Sequence, residues 1–189
     1  MSSHARLFLA IPLPGTLAQD LQAACLSLRE GSANVRWVAP ESMHITLQFL
    51  GDVDTDRIGE LEEALARVRG PVLDLQLRGL GTFPPGAQPR VVWAGVDGHV
   101  DGLRELVGAI GSALEPLGFQ GEDRPFRPHV TLGRVRGVEH PSALRRAIER
   151  VGPDVDLQLP TTRSFSMFQS ENGSTGPRYR ALRTFEFTG

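Results

Sequence analysis

One pattern occurs twice in the chain. His44-Ile45-Thr46-Leu47 returns 85 residues later as His129-Val130-Thr131-Leu132, and Leu61, Leu65 and Val68 return 83 residues later as Leu144, Ile148 and Val151. Asp74-Leu75-Gln76-Leu77 returns verbatim as Asp156-Leu157-Gln158-Leu159, 82 residues on. Two copies at so long a period are too few for a solenoid and point to an internal duplication. The expected architecture is α+β: two pseudo-symmetric lobes, each an antiparallel-rich sheet with helices on its outer face, flanking a central cleft. Residues 1–189 then form one bilobal domain. Its lobes arise from halves of about 1–85 and 86–189, with exchange of strands between them allowed.

Each half alternates strands and helices. Strand-like segments run Arg6–Ile11, Val35–Val38, His44–Leu50 and Val72–Leu80, then Arg90–Val96, His129–Val135, Val155–Leu159, Ser164–Ser170 and Tyr179–Phe187. Helical stripes are Leu17, Leu21, Ala24 and Leu28 behind a Thr16 cap and ahead of Gly31; Ile58, Leu61, Leu65 and Val68; Leu103, Leu106, Ile110, Leu114 and Leu117; and Leu144, Ile148 and Val151. A polar loop of turn formers, Glu171 to Pro177, joins the last two strands.

Composition narrows the chemistry. Every one of the 20 basic residues is arginine, so Schiff-base catalysis, lysine adenylation and a P-loop lysine are excluded. The single Cys25 forms no internal disulfide and no thiolate zinc cluster; it lies on or beside the first helical stripe, where packing is its expected role. A net charge of −2 argues against sequence-blind duplex binding. No apolar run reaches the ~18 residues of a membrane span, and the first residues lead into a strand without a signal-peptide core. The expectation is a cytoplasmic monomer without membrane contact.

In a strand alternate side chains share a face. Strict alternation sets His44, Thr46 and Gln48 on one face and Ile45, Leu47 and Phe49 on the other; His129 and Thr131 likewise oppose Val130 and Leu132. Each copy presents an imidazole and a hydroxyl together and anchors its other face in a core. Two opposed imidazoles suit displacement at phosphorus. With an ordinary pKa near 6.5, one takes a proton from the attacking oxygen while the other gives one to the leaving oxygen. Threonine hydroxyls and arginine can hold the phosphoryl oxygens, and no metal or cofactor is needed.

Trp37-Val38-Ala39-Pro40-Glu41-Ser42-Met43-His44-Ile45-Thr46-Leu47-Gln48-Phe49-Leu50-Gly51 resembles the first signature of the 2H phosphoesterase superfamily, and Arg124-Pro125-Phe126-Arg127-Pro128-His129-Val130-Thr131-Leu132-Gly133-Arg134 resembles its second. The resemblance covers essentially the whole chain and is to the RNA 2′,3′-cyclic phosphodiesterase branch, also called 2′-5′ RNA ligases. It implies metal-independent opening of a 2′,3′-cyclic phosphate, on an RNA end or a cyclic nucleotide, to a 2′-phosphate. His44 would be the proton donor, His129 the proton acceptor, and Thr46 and Thr131 the holders of phosphoryl oxygens. Arg134 would be a further phosphate contact, although strict alternation from His129 turns it to the opposite face unless a bulge near Gly133 brings it back. Joining a cyclic end to a 5′-hydroxyl uses the same acid and base, so 2′-5′ ligation stays open, as does a non-catalytic RNA- or nucleotide-binding module.

Trp37, Phe49, Phe83, Phe126 and Phe168 are candidate surfaces for stacking a base, Phe126 first among them because it precedes Pro128-His129. Arg90, Arg124 and Arg127 are candidates for an electrostatic approach, and His4, His99 and His140 read as surface residues.

Overall fold

The computed structural model describes residues 3–29, 34–86, 88–121, 124–137, 141–173 and 176–187. Among them the elements run β1 (His4–Pro12), α1 (Gly15–Arg29), β2 (Asn34–Trp37), β3 (His44–Asp54), α2 (Ile58–Leu65), β4 (Leu75–Phe83), β5 (Val91–Gly98), α3 (Val100–Leu114), β6 (His129–Gly137), α4 (Pro141–Val151), β7 (Asp156–Gln158), β8 (Ser164–Gly173) and β9 (Gly176–Glu186). The α+β expectation is borne out. Gly31, the expected stop of the first helix, lies outside the described residues, as do His140 and Ser174-Thr175 of the polar loop.

The strands form one antiparallel sheet in the order β7-β4-β5-β6-β3-β1-β8-β9, with β2 also paired to β6. Its middle joint, β6 to β3, is the residue pair Ile45↔Val130. β4, from the first half of the sequence, pairs with β5 and β7; β8, from the second half, pairs with β1. The verbatim Asp-Leu-Gln-Leu repeat therefore does not mark equivalent places: its copies pair with each other, Gln76 opposite Gln158 and Leu77 opposite Leu157. By register the counterpart of β4 is β8. Phe83 lies opposite Val91 on β5, as Phe168 lies opposite Phe8 on β1.

The helices bury the stripes read from sequence. Leu103, Leu106, Ile110 and Leu114 of α3 are fully buried, as are Leu61 and Leu65 of α2. Each such side chain removed from water contributes about 1.5–3 kcal/mol before the entropy of ordering is counted. α1 packs on α4, and α2 on α3. Thr16 is not the helix cap: α1 begins at Gly15, and the Pro14 carbonyl accepts from the Ala18 N–H at 3.0 Å. Cys25 is buried in α1, where burial pushes its thiol up to about 12. Among the described residues no helix is long and apolar enough to cross a membrane.

Two bulges change the faces expected from strict alternation. On β3, Ala10 lies opposite Thr46 but Leu9 lies opposite Gln48, so one residue of β3 goes unmatched at Leu47. On β6, Trp93 lies opposite Thr131 but Val92 lies opposite Gly133, leaving Leu132 unmatched. A one-residue slip turns every later side chain to the other face. Gln48 is consequently buried, with Nε2 donating to the Gln120 carbonyl at 3.4 Å, and Phe49 is 56% exposed. The expectation that Gln48 shares the histidine face and Phe49 the core face is thus reversed.

Candidate active site

The joint at Ile45 and Val130 sets the two motifs side by side. Carrying the antiparallel register one residue each way places His44 across from Thr131 and Thr46 across from His129. Ile45 and Val130 are fully buried, while the histidines and threonines on the opposite face are half-buried. Four groups of two chemical kinds are thus gathered on one face.

Both rings are oriented in the same way. A short helical turn, Pro40–Ser42, precedes β3 and leaves the Ser42 carbonyl free to accept from His44 Nδ1 at 2.7 Å. Before β6, Pro128 carries no N–H and holds the preceding residue extended, and the Arg127 carbonyl accepts from His129 Nδ1 at 2.8 Å. A carbonyl only accepts, so each Nδ1 carries its hydrogen and each Nε2 is left to exchange a proton with a ligand. The rings also sense one another. Burial lowers the pKa of His44 below 6.5, the hydrogen bond to Ser42 opposes that, and charge on His129 lowers it further.

The walls differ. His44 lies 4.9 Å from the Phe8 ring, 5.2 Å edge-on from Tyr179 and 6.4 Å from Phe168. His129 meets Phe83 edge-on at 5.1 Å, and Phe83 in turn packs on Trp93 at 5.1 Å. The indole of Trp93 lies over Gly81, where any Cβ would collide with it. Tyr179 and Phe8 were not legible as site residues. Both arrive through pairings of β1, β8 and β9 that local periodicity does not encode, although Tyr179 is the chain's single tyrosine.

The bulge at Leu132 returns Arg134 to the histidine face. Gly95, Trp93 and Val91 of β5 lie opposite His129, Thr131 and Arg134 in turn, and alternate residues of an unbulged strand share a face. Arg134 is exposed, and its charge reaches Tyr179, whose pKa burial raises and Arg134 pulls back. Phe126 is half-buried and packs against the hydrophobic core. Of the other stacking candidates, Trp37 is also half-buried against the core, Phe83 and Phe168 line the histidine walls, and Phe49 is exposed on the histidine face. Arg90, Arg124 and Arg127 are exposed, as are His4 and His99; His99 Nδ1 lies 3.2 Å from the Val72 carbonyl.

An open depression of about 450 Å³ lies away from the histidines, lined by Arg78, Leu80, Ile148, Glu149, Pro153 and Asp156. Its arginine is already engaged by Asp97 and Asp156, so it brings no free acid–base pair together.

The model of the family described as LigT like Phosphoesterase matches the chain twice, over residues 11–93 and 95–179. The RNA 2′,3′-cyclic phosphodiesterase of Aeropyrum pernix is 36% identical over 156 residues, 82% of this chain and 88% of the relative. That of Thermotoga maritima is 33% identical over 187 residues, 97% and 96% of the two chains. The crystal structure of E. coli LigT complexed with 3′-AMP superposes with a TM-score of 0.75 at 26% identity, covering 99% of this chain and 100% of the other. Matched once in each half by one family model, and over nearly all its length by such relatives, the chain belongs to the LigT-like phosphoesterases, the 2H family that its paired histidine motifs resemble.

Proposed function

We propose that the chain hydrolyses the 2′,3′-cyclic phosphate of an RNA end or a nucleoside to a 2′-phosphate, with His44 as general acid and His129 as general base. The observation that carries this reading is the matched pair of Nδ1 hydrogen bonds, to Ser42 and to Arg127, which free both Nε2 atoms on one face. The curated relatives named RNA 2′,3′-cyclic phosphodiesterase and the LigT complex with 3′-AMP support the substrate class.

In the step itself His129 Nε2 takes a proton from water as the water oxygen bonds to phosphorus. The P–O3′ bond breaks on the far side, and O3′ takes a proton from His44. The products are a 2′-phosphomonoester and a 3′-hydroxyl, and each proton transfer contributes ~10²–10⁴-fold. Thr46 and Thr131 donate to the non-bridging oxygens, and Arg134 balances their charge. The lowered pKa of His44 leaves it neutral in the free protein near pH 7. The phosphodiester anion raises it again by opposite charge, so substrate arms the acid. No step calls on a metal.

The test is to incubate the protein with each nucleoside 2′,3′-cyclic monophosphate and with a cyclic-ended RNA, each with and without EDTA. The expected product is the 2′-phosphate isomer in undiminished yield under chelation. A 3′-phosphate product, or loss of turnover with EDTA, overturns the mechanism. Adding an RNA with a 5′-hydroxyl to the same mixture distinguishes hydrolysis from 2′-5′ joining.

A further inference from the structure

We propose that Arg36 holds a second phosphate of the substrate, the one on the 5′ oxygen of the terminal nucleotide; this rests on the phosphodiesterase reading and adds to it a residue that selects an RNA end over a mononucleoside. Arg36, half-buried, lies directly opposite Arg134 where β2 pairs with β6. Side chains directly opposite on antiparallel strands leave the sheet on one side, with Cβ atoms about 4.5–5.5 Å apart. The bulge at Leu132 turns Arg134 to the histidine face, so Arg36 is on that face too.

The neighbours of Arg36 on β2 agree. A Cβ on Gly133 would lie 2.6 Å from Val35 Cγ1 and 3.1 Å from Trp37 Cε3, so both of those side chains are on the face away from Arg134. Trp37 packs against the hydrophobic core there. Arg36 stands between the two in sequence, and alternate side chains of a strand point to opposite faces.

Like charges directly opposite one another destabilise a sheet. An anion bound between the two guanidiniums offsets that repulsion, and a guanidinium meets phosphate with a planar fork of donors. The position suits the second phosphate of a strand. Beyond Trp37 the Val38 N–H donates to the Leu132 carbonyl at 2.8 Å, and the chain then reaches His44, across from Thr131. Arg36 and His44 therefore flank the same edge of β6. The bulge takes up Leu132, so two strand steps, roughly 7 Å, separate Thr131 from Arg134 along β6. In a ribose, C4′ and C5′ are attached on the C3′ side and the base on the C2′ side. With O3′ departing beside His44, the 5′ oxygen leaves along the edge that carries Arg36. A nucleoside 2′,3′-cyclic phosphate presents only a hydroxyl there; an RNA end presents a phosphodiester.

The experiment compares uridine 2′,3′-cyclic monophosphate with its 5′-phosphorylated form as substrates of the wild type, Arg36→Gln and Arg36→Lys. Calorimetric titration with uridine 2′-monophosphate and uridine 2′,5′-bisphosphate accompanies it. The wild type should favour the 5′-phosphorylated member of each pair. Arg36→Gln should lower that preference about tenfold, in kcat/KM and in affinity, and Arg36→Lys should keep part of it. No preference in the wild type, or a preference that Arg36→Gln leaves intact, overturns the proposal. Failure of the wild type to turn over either cyclic nucleotide would instead overturn the phosphodiesterase reading, and the affinity ratio of the two product nucleotides still reports on Arg36.

Discussion

His44 donates its Nδ1–H to the Ser42 carbonyl at 2.7 Å, the same two-residue relation that His129 has to Arg127. Each ring is held as one tautomer with Nε2 free, so in the proposed mechanism each does one proton transfer. His44→Ala and His129→Ala should each lower kcat by ~10²–10⁴-fold. The double variant should lose less than the product of the two, because residues that act as a unit are not additive. Single-turnover kinetics with a 2′,3′-cyclic nucleotide, beside unchanged circular dichroism, check this. A single variant with full activity would sink the acid–base pair.

Acid sensitivity follows from the same ring. Burial first, and charge on His129 second, hold the pKa of His44 below its ordinary 6.5. Between that value and the lowered one the unfolded chain binds more protons than the folded chain, so stability falls as pH falls through this window. His44→Gln removes that contribution. Urea unfolding at pH 7.5 and at pH 5 should show the wild type losing more stability than His44→Gln. In activity the basic limb of kcat/KM should begin below 6.5, where the acid deprotonates, and the limb of kcat should lie higher once the bound anion raises it.

The apolar alternation of Ile45 and Leu47, and of Val130 and Leu132, was enough to find both strands and to put the four motif residues on one face, because period two is a local property. The helices were legible for the same reason. The bulge at Leu47 was not. Nothing in Leu47-Gln48 departs from strand chemistry, and the extra residue is set by pairing with β1, about forty positions away. At Gly133 the absent side chain was a hint, since a Cβ there would lie 2.6 Å from Val35 Cγ1. Tyr179 needed the order of strands across the sheet, which periodicity leaves open.

Arg134 and Tyr179 can be tested together. They come from opposite sides of the sheet joint, and the arginine's charge holds down a tyrosine pKa that burial raises. Arg134→Ala should raise KM about tenfold, with Arg134→Lys intermediate because a point charge lacks the guanidinium fork. The chain has one tyrosine, so its ultraviolet titration is unambiguous. Arg134→Ala should move that titration to higher pH. An unchanged tyrosine titration would separate the two side chains.

The wall behind His129 is tightly fitted. A Cβ on Gly81 would collide with the six-membered ring of Trp93 and stand 2.7 Å from its Cε2. An indole cannot bend aside as a flexible side chain does; it must move as a plate. Trp93 packs on Phe83 at 5.1 Å, and Phe83 packs edge-on against His129 at 5.1 Å, so a displaced indole disturbs the His129 ring. Gly81→Ala should destabilise the fold by about 1–3 kcal/mol, the usual range for overpacking, and should lower kcat while leaving KM for a small cyclic nucleotide little changed. Pairing it with Trp93→Leu, which removes the plate, should recover part of the stability lost by Gly81→Ala alone. Urea unfolding of the two single variants and the double variant measures that coupling, and strictly additive losses would show that the indole does not rest on Gly81.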